Sequence, residues 1–169
     1  MLQTLKTPKF WSKLILNIAI LSALFILIHW YQSKELTDKV PSVNYQSLKG
    51  KSIKFDDIDQ KSPIVVYFWA SWCPACKFTS SVINQLSKDY PVFTIALSSG
   101  TDLTVEEFLQ ENGFSFVVIN DEEGEVSQQW GVYATPTIFI IDEDKRIVYK
   151  GVGIANRWLI QLRLWLLSL

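Results

Sequence analysis

Cys73 and Cys76 are the only two cysteines of the 169-residue chain, and they form a Cys-x-x-Cys motif. Such a pair fits a redox couple, half of a metal site or a small structural disulfide. A structural zinc site needs four ligands, and the single histidine, His29, lies far upstream. A c-type haem site would need histidine where the chain has Lys77, and a disulfide across so short a loop would stabilise little. The motif therefore favours a redox pair without metal or cofactor.

A helix is predicted to begin at this motif, because Pro74 suits the first turn of a helix. Apolar residues then recur at helical spacing: Ala75, Phe78, Thr79, Val82, Ile83 and Leu86. The free N–H groups and the positive end of the helix dipole would lower the pKa of the Cys73 thiol below its ordinary value of roughly 8.5. Cys73 would then attack a substrate disulfide, and the more deeply placed Cys76 would resolve the mixed disulfide. The direction of electron flow stays open.

Residues 14–31 are a run without Asp, Glu, Lys or Arg, near the lower length limit for a membrane-spanning helix. Trp11 at one end, and Trp30 and Tyr31 at the other, are typical of the membrane–water interface. We therefore expect a transmembrane anchor at 14–31.

Charge around this anchor predicts its orientation. Lys6, Lys9 and Lys13 precede it, and positively charged flanks stay in the cytoplasm. Residues 1–13 are thus expected inside and the rest of the chain outside. A cleaved signal peptide is the alternative, but it would need small residues after the apolar run. Either reading places the domain outside the cytoplasm.

After the anchor we expect a polar tether at 32–43 and one α/β domain at 44–169. The predicted strands are 44–48, 52–55, 64–69, 92–97, 116–119, 137–141 and 147–149, with a polar connection at 56–62. One predicted helix begins at Pro74, and three more cover 104–110, 126–130 and 154–169. Asn112-Gly113 is the predicted stop of the helix at 104–110. This order predicts a mixed central sheet with helices on both faces.

Two further segments carry charge or apolar patterns. Asp121, Glu122, Glu123 and Glu125 lack the spacing of a calcium loop, so they are expected to form a solvated turn. The last helix carries more apolar residues than packing on one sheet face requires. Its apolar stripe consists of Trp158, Leu162, Trp165 and Leu169, and part of it could touch a membrane or a partner.

The stretch 65–77, Val-Val-Tyr-Phe-Trp-Ala-Ser-Trp-Cys-Pro-Ala-Cys-Lys, resembles the signature of the thioredoxin superfamily. A second mark of that family is 131–137, Gly-Val-Tyr-Ala-Thr-Pro-Thr. The resemblance implies a thioredoxin fold and a cis-proline, Pro136, facing the cysteines. It also implies that the backbone of Thr135 pairs with the substrate like an added strand. We expect substrate contacts at Trp72, Pro74, Thr135 and Pro136, with Trp72 on an exposed rim.

The anchor and the segments around the signature narrow the likeness to membrane-anchored TlpA/ResA/DsbE-like oxidoreductases, over about residues 40–155. Within them the chain is most similar to the ScsD-like, suppressor-of-copper-sensitivity branch. The resemblance implies a reductase at the bacterial inner (cell) membrane with its catalytic domain on the periplasmic side. Its substrates would be disulfide-bearing extracytoplasmic proteins, and a DsbD- or CcdA-like membrane protein would supply electrons.

Three residues depart from the family pattern. Thioredoxin has a buried Asp where this chain has Tyr67, and cytochrome-maturation members commonly have Glu where this chain has Thr79 and Thr137. These differences argue against a dedicated cytochrome role and leave the proton acceptor for Cys76 open.

A disulfide oxidant or isomerase is the alternative function, and a thiol-based copper-handling protein is a third. Nucleic acid is not an expected partner. Of the 16 basic residues three precede the anchor, leaving 13 against 17 acidic residues after it.

Overall fold

The computed structural model describes residues 8–34, 36–55 and 62–168. The chain divides into two compact units, Met1–Lys34 and Glu35–Leu169. The described residues of the first unit form one helix, α1, Pro8–Lys34. Its window Trp11–Ile28 is long and apolar enough to cross a membrane and is unburied, which makes it a candidate span by length and composition. Residues 1–7 of the predicted cytoplasmic segment lie outside the described residues.

The described residues of the second unit form seven strands and four helices. The strands are β1 Asn44–Gln46, β2 Ser52–Lys54, β3 Ile64–Trp69, β4 Val92–Leu97, β5 Val117–Asp121, β6 Thr137–Ile141 and β7 Ile147–Val152. The helices are α2 Pro74–Leu86, α3 Asp102–Asn112, α4 Glu125–Gln129 and α5 Arg157–Leu167. Strands β1 and β2, which lie within the predicted strands 44–48 and 52–55, form a small antiparallel hairpin. The predicted connection at 56–62 lies outside the described residues except for Ser62.

The central sheet has the order β5-β4-β3-β6-β7. Strand β3 is parallel to β4 and antiparallel to β6, so the sheet is mixed, as predicted. Every residue of β3 is buried. Its uninterrupted apolar sequence suits a central strand that is covered on both faces.

Alternate residues of β3 point into two separate cores. Val65, Tyr67 and Trp69 belong to one core, and Ile64, Val66 and Phe68 to the other. The first core also contains residues of α2 and α5: Ile83, Leu86, Ile160 and Leu164. The second contains residues of the hairpin and of the end of α4: Tyr45, Ile53 and Trp130. Both faces of the sheet are therefore covered, and the predicted fold class is confirmed.

The second unit begins earlier than the predicted boundary at residue 44. Leu36 is buried in the second core, and the backbone N–H of Thr37 donates to the carbonyl of Trp130 at 3.1 Å. Lys150 Nζ forms a 2.7 Å ion pair with Asp38. The beginning of the predicted tether thus contacts the domain through a buried side chain, a backbone hydrogen bond and an ion pair.

The observed helix ends can be compared with the other predicted boundaries. Helix α5 begins at Arg157 and not at 154, because the side chain of Asn156 accepts from the N–H groups of the first turn. Gly113 ends α3 in the left-handed conformation at φ 67°, which confirms the predicted stop. Asp121, predicted in a solvated turn, is buried. Its carboxylate accepts from the N–H of Val126 at 2.9 Å and of Ser127 at 2.8 Å, which satisfies the start of α4.

Candidate active site

The two cysteines lie at the first turn of α2, and three residues, 70–72, connect them to the end of β3. Cys73 is the N-cap residue in extended conformation, and Pro74 is the first helical residue. The backbone N–H of Cys76 points at Sγ of Cys73, with 3.3 Å between the atoms. Sγ of Cys73 thus occupies the place of a capping acceptor, where negative charge on sulfur is stabilised.

Cys73 and Cys76 are joined as a disulfide, with 5.3 Å between their Cα atoms. Cys73 is the more accessible of the two cysteines, with 6% of its surface exposed against 1% for Cys76. A sulfur atom that approaches from outside therefore meets Cys73 first.

The loop that contains Thr135 and Pro136, directly before β6, also lies next to Cys73. The peptide bond between Thr135 and Pro136 is cis. The carbonyl oxygen of Thr135 lies 3.6 Å from Sγ of Cys73. The carbonyl of Pro136 accepts from Gly153 N–H at 2.8 Å, which holds this loop against the end of β7. Residues 62 positions apart in sequence thus meet at one sulfur atom, as the resemblance implied.

An outer groove of about 650 Å³ runs beside the disulfide. It is lined by Ser71, Trp72, Cys73, Pro74, Lys77, Phe78 and Ser81. Trp72 is 65% exposed, and its indole N–H donates to the carbonyl of Ser98 at 3.0 Å, which fixes the ring at the rim. Phe78, one of the residues at helical spacing in α2, is 71% exposed. The two exposed aromatic rings give the groove an apolar wall.

An inner floor of hydroxyl groups, Tyr67, Thr79 and Ser80, lies behind the cysteines. The Tyr67 hydroxyl donates to the carbonyl of Cys76 at 3.2 Å and forms a second hydrogen bond with the Ser80 hydroxyl at 3.0 Å. Thr79 accepts from the N–H of Ala155 at 3.3 Å. All three side chains are buried.

Burial raises the pKa of the Tyr67 phenol well above its ordinary value, so this group stays protonated and neutral around pH 7. Sequence reasoning missed the Tyr67–Ser80 contact. The available signal was the position of Ser80, one helical turn after Cys76 and facing β3.

Within residues 8–34, 36–55 and 62–168, no group of three or more His, Cys, Asp or Glu side chains is placed to hold a metal ion.

The fold and the site have counterparts among known proteins. A family model described as Redoxin matches residues 35–158, most of the chain. The chain belongs to the Redoxin family. The match covers the second core, the first core apart from Ile160 and Leu164, the cysteine pair and the Thr135–Pro136 loop.

Two curated relatives of this Redoxin chain cover similar lengths. A "Thioredoxin-like protein" from Haemophilus influenzae is 33% identical over 129 residues, 76% of this chain and 77% of the relative. The thiol-disulfide oxidoreductase ResA of Bacillus cereus is 31% identical over 137 residues, 76% of this chain and 79% of the relative.

A solved structure gives the same picture. The crystal structure of a putative thiol:disulfide interchange protein DsbE from Chlorobium tepidum superposes with a TM-score of 0.64 at 26% identity, over 79% of this chain and 96% of that chain. The Redoxin chain described here is thus a thiol–disulfide oxidoreductase with a thioredoxin-like fold. The sequence prediction of fold and enzyme class is confirmed.

Proposed function

We propose that this Redoxin chain reduces disulfide bonds in extracytoplasmic proteins, with Cys73 as the attacking and Cys76 as the resolving thiol. The observation that carries the proposal is the asymmetry of the pair. Sγ of Cys73 caps α2 and reaches the surface 3.6 Å from the Thr135 carbonyl, whereas Cys76 is buried behind it. Of two thiols, the one that a substrate can reach and whose thiolate is stabilised is the better attacking group.

The reaction begins with the reduced pair. The Cys73 thiolate attacks one sulfur of the substrate disulfide, the substrate S–S bond breaks, and the leaving sulfur takes up a proton. Cys76 then loses its proton and attacks Cys73. This second step releases the other substrate sulfur as a thiolate and leaves the enzyme as the Cys73–Cys76 disulfide. Two electrons pass from enzyme to substrate.

Substrate binding is proposed to use both sides of Cys73. An extended substrate segment would pair with the backbone at Thr135, next to Pro136, as an added strand. Trp72 and Pro74 at the outer groove would contact the residues that flank the substrate cysteine. The exposure of Trp72 beside Cys73 supports this assignment.

The membrane location is part of the proposal. We infer that residues 14–31 of α1 anchor the protein in the bacterial cell membrane, with 1–13 in the cytoplasm and the domain outside. The candidate span Trp11–Ile28 and the lysines that precede residue 14 support it. A membrane protein of DsbD or CcdA type is the proposed electron donor. Assignment to the ScsD-like branch remains a prediction.

The first test is the reduction potential of the Cys73–Cys76 pair in the domain of residues 35–169. Equilibration with glutathione or dithiothreitol buffers would be followed by the fluorescence of Trp69 and Trp72. A value below roughly −220 mV supports a reductase, and a value above about −150 mV would show an oxidant or isomerase. The absence of a reversible two-electron couple would contradict the oxidoreductase mechanism itself.

A further inference from the structure

Helix α5 is apolar on two opposite sides. Its inner side packs on the sheet through Ile160 and Leu164, both buried. The opposite side, here called the outer face of α5, is between 51% and 77% exposed at every position: Trp158, Leu159, Leu162, Trp165 and Leu166. A helix at the surface of a soluble domain ordinarily places polar residues on this side.

The charges of α5 have one sign. The helix contains Arg157 and Arg163 and no acidic residue. At about 100° per residue, the two arginines fall on opposite flanks, between the buried stripe and the outer face. The Arg163 guanidinium lies over the ring of Tyr149, 4.5 Å from its centroid, which fixes one flank. The outer face is thus an apolar strip bordered by positive charge.

This pattern matches a helix that lies in the surface of a bilayer. Leu and Trp side chains enter the boundary between headgroups and acyl chains, while flanking Arg side chains bind lipid phosphates. Trp is enriched at that interface because its ring is apolar and its N–H is polar. A second copy of the chain fits less well, because it would bring a second pair of arginines against Arg157 and Arg163.

The short segment between the candidate span and the domain limits how far the domain can move from the membrane. The candidate span ends at Ile28, and Leu36 is buried in the domain eight residues later. A segment of that length spans at most about 28 Å even when fully extended. The domain therefore experiences a high effective concentration of headgroups. This step rests on the membrane anchoring in the proposed function.

We propose that the outer face of α5 is a membrane-docking surface for anionic phospholipid. Trp158, Leu162 and Trp165 insert into the interface, and Arg157 and Arg163 contact the phosphates. Docking through α5 would add a second attachment to that made by α1.

The test uses the domain of residues 35–169, a compact unit that contains both cores. The domain is sedimented with vesicles of equal parts phosphatidylcholine and phosphatidylglycerol. The W158Q/L162Q double variant replaces two apolar side chains of the outer face with polar ones. L103Q, on α3, is the control because Leu103 is a similarly exposed apolar residue, at 72%. Thermal unfolding checks that each variant is folded, and the reduction potential checks that the cysteine pair is intact.

The expected result is vesicle binding by the unmodified domain and by L103Q, and binding at least about tenfold weaker for W158Q/L162Q. Binding should also weaken for the R157Q/R163Q variant and at high salt. No vesicle binding, or equal binding by W158Q/L162Q and L103Q, would overturn the proposal. Self-association of the domain that the outer-face variant abolishes, without vesicle binding, would overturn it in favour of a dimer. None of these outcomes depends on the direction of electron flow.

Discussion

The outer groove and the inner floor both adjoin the Cys73–Cys76 disulfide, but they differ in exposure and in polarity. The groove has exposed aromatic rings, with Trp72 and Phe78 at 65% and 71% exposure. The floor has the buried hydroxyls of Tyr67, Thr79 and Ser80. Tyr67 and Ser80 form a hydrogen bond with each other, and Tyr67 and Thr79 form hydrogen bonds with backbone groups. One side can adapt to different molecules, and the other is fixed.

This difference separates two tasks of a thiol–disulfide exchanger. Exposed apolar surface next to Cys73 gives affinity for partners of varied sequence without a fixed set of hydrogen bonds. A neutral floor keeps Cys76 in a dry and unchanging environment, because hydroxyl groups satisfy the backbone without adding charge. Changes in the groove should therefore alter substrate binding, and changes in the floor should alter stability.

The cysteines themselves give the largest expected effect. C73S and C76S should each lower turnover of a protein disulfide by at least about a thousandfold, because neither can complete the exchange. C76S alone should accumulate mixed disulfides, since its Cys73 can attack but cannot be resolved. Non-reducing gel electrophoresis after acid quenching measures this. Accumulation in C73S instead would reverse the assigned roles.

The Tyr67→Phe substitution tests the floor. It removes one hydrogen bond from the Cys76 carbonyl and one from Ser80, both buried. We expect a loss of about 1–3 kcal/mol in the free energy of unfolding, measured with urea on the oxidised domain. Tyr133→Phe is the matched control, because Tyr133 is 73% exposed. An equal free energy of unfolding for the two variants would show that these two buried hydrogen bonds do not stabilise the domain.

The Phe78→Ala substitution tests the groove. We expect KM for a protein substrate to rise about three- to tenfold, equivalent to losing one partly buried aromatic contact. The free energy of unfolding should change by less than about 0.5 kcal/mol, because the ring is exposed. Leu103→Ala, at a similarly exposed position on α3, should leave KM unchanged. A loss of stability without a change in KM would remove Phe78 from the substrate surface.

Alkaline pH gives the smallest and most specific effect. Burial raises the pKa of folded Tyr67 above the unfolded value of about 10. The unfolded chain therefore releases this proton first, so the stability is complete below that pH and declines as pH rises further. The decline should be less steep in Tyr67→Phe, by at most about 1.4 kcal/mol per pH unit. The oxidised protein is used so that no thiol titrates, and parallel stability curves would argue against the raised pKa.

Much of the fold could be predicted because local sequence and final structure agree. The apolar run 64–69 is a fully buried strand, and Pro74 and Gly113 mark a helix start and a helix end. Periodicity predicted the helix that contains Phe78 but not the exposure of that side chain, because helical spacing does not show whether another element covers an apolar residue. Composition failed at Asp121, because an acidic side chain in a polar run can be buried when backbone N–H groups solvate it.

The sequence by itself determined the chemistry: two cysteines in one Cys-x-x-Cys, a proline at the helix start, and a family signature that implied a cis-proline partner far along the chain. Only the tertiary structure decided what surrounds that chemistry. Thr135 reaches Cys73, and Tyr67 reaches Cys76 and Ser80, across contacts between separate elements. The exposed outer face of α5 was decided in the same way. Burial depends on which elements pack together, and that is a property of the whole fold and not of any local pattern.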